Sequence, residues 1–215
     1  MVKRHARSSF GSAYAFPGGV LEDSDRNVHE QCFGRTGVEA DELLSVDDGS
    51  GLDYFSAAVR ELFEEAGVLL GCSSLPVGEF ETVRSRLNDS SLSWDSFVAD
   101  YELEMHCEQL NYFSFWITPE MQPKRYSTRF FLAELPDGQN ASHDDGELTD
   151  SRWMPVREIL TASKNKTMRV HYPTRKTLES LAPFATTAAL CSWARSCGEA
   201  GVPCTQPVEV PESEK

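Results

Sequence analysis

The sequence predicts an α/β fold with a mixed β-sheet and helical insertions, on three observations. Residues 52–66 carry apolar side chains at helical spacing, with Asp53 as a candidate N-cap and Gly67 as a candidate C-cap. Residues 111–118 and 125–135 have the aromatic and β-branched content of two paired strands. Shorter segments complete the fold: helices are predicted over 38–44, 79–89, 93–105, 156–163, from 173 onward and over 185–196, and strand pieces over 2–5 and 152–155.

The length of 215 residues and the hydrophobic content of 40% are typical of one globular domain with a substantial core. We assign residues 1–197 to this domain, with insertions at 26–52 and 79–105 whose helices are expected to cover a sheet edge. Residues 198–215 contain three prolines and several carboxylates, which predicts a disordered acidic tail. The first strand is short, so we expect that its front part is missing.

The net charge of −14, from 34 acidic and 20 basic residues, argues against a nucleic-acid or membrane binder, because both need a basic surface. No apolar run reaches membrane-spanning length, and no signal peptide is visible. The six cysteines form no Cys-x-x-Cys pair, which favours free thiols over a zinc or disulfide group at Cys191, Cys197 and Cys204. We therefore expect a cytoplasmic protein without a nucleic-acid or membrane partner, whose sequence is compatible with a metal-dependent enzyme and with a homodimer.

The predicted helix at 52–66 carries three carboxylates, Glu61, Glu64 and Glu65, at positions i, i+3 and i+4. This spacing places all three on one helix face, where like charges repel each other. A hard divalent cation with oxygen ligands would neutralise them. The alternative is a solvated acidic helix face, which is common on protein surfaces.

A rigid turn upstream favours the metal interpretation. In Phe16-Pro17-Gly18-Gly19 the proline fixes φ, and the paired glycines allow positive φ and a close approach of the backbone to a ligand. Such a turn beside a carboxylate helix is suited to binding phosphate groups through a metal ion.

Together these segments resemble the signature of the Nudix hydrolase family, which joins a glycine and a glutamate to Arg-Glu-aliphatic-x-Glu-Glu-x-Gly-aliphatic. The matching residues are Gly19, Arg60, Glu61, Leu62, Glu64, Glu65, Gly67 and Val68. Asp25 stands where the family has its first glutamate, and 34 residues, 26–59, replace a seven-residue spacer. Loop closure becomes only slowly more unfavourable with length, so this insertion is tolerable. The resemblance implies an α/β/α sandwich with a mixed sheet between helices.

The interrupted signature resembles the branch of NUDT-nineteen-like coenzyme A diphosphatases. Residues 115–119, 124–132 and 147–153 are also similar to segments of that branch, so the resemblance covers about 2–182. It implies hydrolysis of coenzyme A or an acyl-CoA to 4′-phosphopantetheine, or its acyl form, and adenosine 3′,5′-bisphosphate. Pyrophosphatases acting on ADP-ribose, NADH or another dinucleotide remain open. A binding module with this fold but without turnover is the alternative from another functional class.

The resemblance also implies the site residues. Glu61, Glu64 and Glu65, with the carbonyl of Gly18, would bind Mg²⁺ or Mn²⁺, and Arg60 would hold the glutamates through Asp25 or Glu64. The general base would be one of the signature glutamates or a loop carboxylate. Among the loop carboxylates Glu147 is the first candidate, ahead of Asp145 and Asp150, although the run 144–147 is equally typical of a solvated loop.

Basic residues are the candidates for substrate binding. Two clusters stand out in an acidic chain, one before the glycine turn and one between the two long strands. We predict that a phosphate beyond the scissile pair, such as the 3′-phosphate of coenzyme A, contacts Arg4, Arg7, Arg125 and Arg129. The alternative is that these are ordinary surface side chains.

Overall fold

The computed structural model describes residues 1–4, 13–142 and 148–207. The strands are β1 (Val2–Arg4), β2 (Tyr14–Ala15), β3 (Cys32–Phe33), β4 (Gly71–Cys72), β5 (Glu104–His106), β6 (Asn111–Ile117), β7 (Ser127–Leu132), β8 (Leu148–Ser151) and β9 (Cys204–Thr205). The helices are α1 (Asp23–Arg26), α2 (Gly37–Leu44), α3 (Gly51–Ala66), α4 (Phe80–Asn88), α5 (Trp94–Asp100), α6 (Val156–Lys164), α7 (Tyr172–Leu181) and α8 (Thr187–Ala200). The predicted mixture of helices and strands is confirmed.

The strands form three small sheets, in the orders β2-β1-β8, β3-β5-β4 and β7-β6-β9. Both parallel and antiparallel pairs occur, as a mixed sheet requires. The predicted pair of long strands is the antiparallel hairpin β6–β7, in which Asn111 lies opposite Leu132 and Ile117 opposite Ser127. The other strands have two to four residues, and strands this short do not extend one sheet across the molecule.

The central element is α3, which carries the three carboxylates. Its apolar side is fully buried through Phe55, Val59 and Phe63. Gly67 caps its C-terminus with a φ of +66°, as the sequence predicts. The N-terminus differs from the expectation, because the N-cap is Ser50 and Asp53 lies inside the helix.

Asp53 is buried and binds the inserted segment instead of capping a helix. Its Oδ2 accepts hydrogen bonds from Arg26 Nη2 at 3.1 Å and Nε at 3.3 Å, and its Oδ1 contacts His29 Nε2 at 2.5 Å. These contacts fix the start of the insertion on α3, a long-range role that a local capping pattern does not reveal.

The inserted helices surround α3 rather than the edge of a sheet. Helices α1, α2 and α4 each pack against α3, and α1 also contacts α5. Asp41 of α2 accepts a hydrogen bond from the backbone N–H of Gly51 at 2.8 Å, and Asn27 donates to Asp95 at 3.0 Å. Most residues of α3 are buried, and the packing of these helices against α3 contributes to that burial.

Two segments near the C-terminus differ from the sequence prediction. The strand predicted over 152–155 lies earlier in the chain, as β8, which ends at Ser151. Its position is set by β1, whose Val2 and Lys3 pair with Ser151 and Asp150. Residues 198–207 complete α8 and form β9, which pairs in parallel with β6, instead of belonging to a disordered tail. Residues 208–215 lie outside the described residues.

All six cysteines lie within the described residues and are thiols rather than disulfides. In the part of the chain that the structure describes, no helix has the length and apolar character needed to cross a bilayer.

Candidate active site

The candidate site is organised around the guanidinium of Arg60, which is 1% exposed. Its Nε and Nη2 donate to the two carboxylate oxygens of Asp25 at 3.1 and 3.0 Å, and Nη2 also donates to the carbonyl of Val20 at 2.9 Å. Its Nη1 donates to Glu61 Oε1 at 3.0 Å and to Glu64 Oε2 at 3.1 Å. All five N–H donors of the guanidinium therefore have acceptors.

Asp25 replaces the glutamate of the family signature and still forms the bidentate pair with Arg60. The residue is fully buried, and its carboxylate accepts two further hydrogen bonds, from Ser56 Oγ at 3.1 Å and from the backbone N–H of Glu22 at 2.9 Å. Ser56 in turn accepts a hydrogen bond from the indole Nε1 of Trp94 at 2.9 Å. This network compensates the buried charges and brings the shorter acid within reach of Arg60.

The three predicted carboxylates lie together along one side of α3. Glu65 is buried, and the side chains of Glu61 and Glu64 are 14% and 18% exposed. Burial raises the pKa of Glu64 to about 7, and repulsion from Glu61 and Glu22 adds to this effect while Arg60 opposes it. One arginine therefore does not neutralise this concentration of negative charge.

The glycine turn approaches the carboxylates through its backbone. The N–H of Gly18 donates to Glu65 Oε2 at 2.9 Å, and Gly18 has a φ of +153°, which disfavours a side chain. A Cβ on Gly19 would lie 2.0 Å from Glu61 Oε1. The paired glycines thus permit the close approach that the sequence predicts.

A groove with a volume of about 1660 Å³ runs past the glycine turn and α3. Glu61 and Glu65 line it on one side, and the hairpin β6–β7 lines it on another. Basic side chains also reach this groove, namely Lys124, Arg125, Arg129, Arg152 and Arg169. Acidic and basic side chains therefore border the same groove.

The donor set suits a hard divalent cation. The carboxylates of Glu61, Glu64 and Glu65 supply oxygen ligands, and the raised pKa of Glu64 reflects burial and negative charge that a cation would offset. As they are placed within residues 1–4, 13–142 and 148–207, no three acidic, histidine or cysteine side chains lie together in a geometry that could hold a metal ion, the three glutamates of α3 included. Carboxylate oxygens are the ligands that hard divalent cations prefer, so the type of donor, rather than a preformed site, supports the metal interpretation.

The segment that includes α3 matches a known protein family. The model of the NUDT19 Nudix domain matches residues 49–181 of this chain. The chain belongs to the Nudix hydrolase superfamily, in the NUDT19-like branch. The match includes the segment from Arg60 to Gly67 and begins after the glycine turn and Asp25, which are separated from it by the insertion.

Two Nudix proteins extend this comparison. A Caenorhabditis elegans protein named "Putative nudix hydrolase 7" is 24% identical over 161 residues, which are 74% of this chain and 47% of that protein. The chain thus spans about half the length of this curated relative. The crystal structure of a Nudix hydrolase from Alicyclobacillus acidocaldarius has a TM-score of 0.71 and 26% identity, covering 89% of this chain and 86% of that one.

The structure separates the two basic residues predicted on the β6–β7 hairpin. Arg125 is exposed, and its Nε donates to the carbonyl of Thr118 at 3.1 Å. Arg129 lies between the rings of Tyr54 and Phe115, at 4.1 and 4.5 Å from their centres, and donates to the carbonyl of Leu44 at 3.1 Å. Both line the groove, but Arg129 also joins α2 to the hairpin.

Other predicted residues cannot be placed beside the site. Arg7 and Glu147 lie outside the described residues, as does the second base candidate Asp145, and the side chain of Arg4 is likewise not described. Asp150, the third base candidate, is held by Tyr14 Oη, which donates to Oδ2 at 2.5 Å, and by Arg152 Nε at 2.9 Å.

Two residues at the site were missed by the sequence reasoning. Ser56 bonds Asp25 in the buried network, and Arg84 of α4 donates through Nε to the carbonyl of Glu64 at 2.8 Å. Arg84 is 1% exposed, although arginine in a polar segment is usually a surface residue. Val83 and Leu87 are four residues apart on α4 and therefore share one side of the helix, and Arg84 is next to Val83. This apolar spacing is the sequence signal that this side of α4 is buried.

Proposed function

We propose that this chain is a divalent-metal-dependent hydrolase of nucleoside diphosphates linked to another moiety. The observation that carries the proposal is the bonding of Arg60, whose Nη1 holds Glu61 and Glu64 while Nε and Nη2 are fixed by buried Asp25. A buried guanidinium with every donor bonded orients the carboxylates before a ligand binds. A binding module without turnover would not need this arrangement beside three retained signature carboxylates.

In the proposed mechanism, Glu61, Glu64, Glu65 and the Gly18 carbonyl would hold Mg²⁺ or Mn²⁺. A bound divalent ion neutralises phosphate oxygens and lowers the pKa of a coordinated water. The protein orients the carboxylates: Arg60 holds Glu61 and Glu64, and the Gly18 N–H holds Glu65. Such pre-organisation aligns the attacking water with the phosphoanhydride.

We retain Glu147 as the proposed general base. Asp150 is disfavoured, because its Oδ2 already accepts hydrogen bonds from Tyr14 and Arg152. A carboxylate engaged by two donors is a weaker proton acceptor for water. The comparison of Glu147→Gln with Asp150→Asn distinguishes the candidates: kcat should fall by about a hundredfold in the first variant and remain within a few-fold in the second.

Coenzyme A or an acyl-CoA is the proposed substrate. Supporting this, the groove is large and carries Arg125 and Arg129 in addition to the acidic side chains, so a phosphate remote from the scissile bond has basic partners. The resemblance of the interrupted signature to the branch of coenzyme A diphosphatases supports the same proposal. The domain with its two insertions is proposed as the catalytic unit, and it extends beyond residue 197 to include the end of α8 and β9.

The test is hydrolysis by the purified chain with Mg²⁺ or Mn²⁺, using coenzyme A, acetyl-CoA, ADP-ribose, NADH and diadenosine polyphosphates, with products identified by mass. Formation of adenosine 3′,5′-bisphosphate from coenzyme A supports the substrate proposal. Preference for another member keeps the hydrolase and removes coenzyme A as the substrate. A folded chain that hydrolyses none of them contradicts the proposed activity and favours the binding module.

A further inference from the structure

Arg84 of α4 is a second buried arginine, and it contacts the C-terminal end of α3. Its Nε donates to the backbone carbonyl of Glu64 at 2.8 Å, its Nη2 to the carbonyl of Ser142 at 2.9 Å and its Nη1 to Ser142 Oγ at 3.3 Å. Glu81, an exposed side chain, lies 3.5 Å from Nη1. Arg84 thus uses most of its donors on a helix end and on one loop.

That loop, residues 139–142, is here called the strap. Gln139 forms two hydrogen bonds with the backbone of Leu69, accepting from its N–H at 2.9 Å and donating to its carbonyl at 2.9 Å. The N–H of Ser142 donates to the carbonyl of Ala66 at 2.9 Å. The strap is therefore fixed to the chain just after the carboxylates, and Arg84 lies between the strap and α3.

Glu64 is held at two points by these two arginines. Arg60 binds its carboxylate, and Arg84 binds its backbone carbonyl. The last carbonyls of a helix lack partners within the helix, so the carbonyl of Glu64 depends on outside donors, which are Arg84 at 2.8 Å and Asn88 Nδ2 at 3.4 Å. A positive charge at the C-terminal end also interacts favourably with the helix dipole. Contacts with the side chain and with the backbone of Glu64 therefore both orient this residue, and with it the neighbouring Glu65.

We propose that Arg84 is a positioning residue of the hydrolytic site, which acts by joining the carboxylate turn of α3 to the strap. This rests on the proposed function, since it assumes that Glu64 and Glu65 bind the metal ion. Arg84 does not line the groove and is not expected to touch substrate. Its guanidinium donates to three acceptors on two separate segments, α3 and the strap, and a lysine ammonium, though charged, cannot reproduce that planar fork.

The test compares Arg84→Lys and Arg84→Met with the same changes at Arg86, an exposed residue of the same helix. Mn²⁺ affinity is measured from the free-ion signal in electron paramagnetic resonance, and kcat and KM are measured at a temperature where circular dichroism shows each variant fully folded. We expect both Arg84 variants to lose about tenfold or more in Mn²⁺ affinity or kcat, with KM changed less than threefold. The Arg86 variants should match the unmodified protein.

Wild-type Mn²⁺ affinity and kcat in folded Arg84→Lys would overturn the proposal, as would losses of equal size in the Arg86 variants. If only the positive charge of Arg84 mattered, Mn²⁺ affinity and kcat would fall in Arg84→Met but not in Arg84→Lys. That result would also contradict the proposed role of the guanidinium. Should neither Arg84 variant fold, Gln139→Ala decides, because it releases the strap without removing the cation. Reduced Mn²⁺ affinity in that variant supports the proposal, and unchanged affinity overturns it.

Failure of the proposed function has a different signature. An unmodified chain that binds Mn²⁺ but hydrolyses no substrate contradicts the proposed activity, while the affinity comparison still decides the role of Arg84. An unmodified chain that binds no Mn²⁺ contradicts both.

Discussion

The replacement Asp25→Asn should destabilise the protein strongly, because it removes the charge opposite Arg60 without changing the shape of the side chain. Asp25 is fully buried and accepts two hydrogen bonds from Arg60, one from Ser56 and one from the backbone of Glu22. Removing one partner of a buried ion pair lowers the free energy of unfolding by about 3–5 kcal/mol. Arg60 keeps Glu61 and Glu64 as partners, so the expected loss is at the lower end, about 3 kcal/mol.

Urea unfolding followed by circular dichroism measures this loss. With a denaturant slope of about 2 kcal/mol/M, the midpoint should fall by roughly 1.5 M. Asp23→Asn, an exposed position of the same short helix, is the matched control and should stay within about 0.5 kcal/mol. A loss below about 1 kcal/mol for Asp25→Asn would refute the reasoning, since Arg60 would then not depend on Asp25.

Three other results are expected. Gly19→Ala should lower kcat/KM by about tenfold to a hundredfold with little loss of stability, because the new Cβ would displace the flexible carboxylate of Glu61; Gly78→Ala, with open space around it, should leave kcat/KM unchanged. Gly67→Ala should cost about 1–2 kcal/mol in thermal unfolding, since φ is +66° there, and an unchanged melting temperature would contradict this. Mn²⁺ at 100 times its Kd should stabilise the protein by about 2.7 kcal/mol, and Glu64→Gln should abolish most of that gain.

Local sequence signals predicted the elements that depend on near neighbours. Gly67 ends α3 because positive φ suits glycine, and the aromatic content of residues 111–118 and 125–135 marks the hairpin β6–β7. The pairing of Asp25 with Arg60 could also be predicted, but only through the resemblance to the family, because the two residues are 35 positions apart. Neither periodicity nor composition brings them together.

Long-range contacts account for what the sequence did not predict. Asp53 has the residue type of an N-cap, yet the buried contacts with Arg26 and His29 place it within α3. The segment after 198 has the prolines and acids of a tail, and its pairing with β6 orders Cys204 and Thr205. Arg84 is buried because acceptors from two distant segments surround it; the spacing of Val83 and Leu87 marks the buried side of α4 but does not reveal those acceptors.

The most direct test of the proposed site is the turnover number of Glu64→Gln with Mn²⁺ and the best substrate of the panel. Glu120→Gln, an exposed position outside the groove, is the control for loss of one carboxylate. We predict that kcat falls by about a hundredfold or more in Glu64→Gln and is unchanged in Glu120→Gln. Hydrolysis by folded Glu64→Gln at the rate of the unmodified protein would contradict the assignment of the metal site to α3.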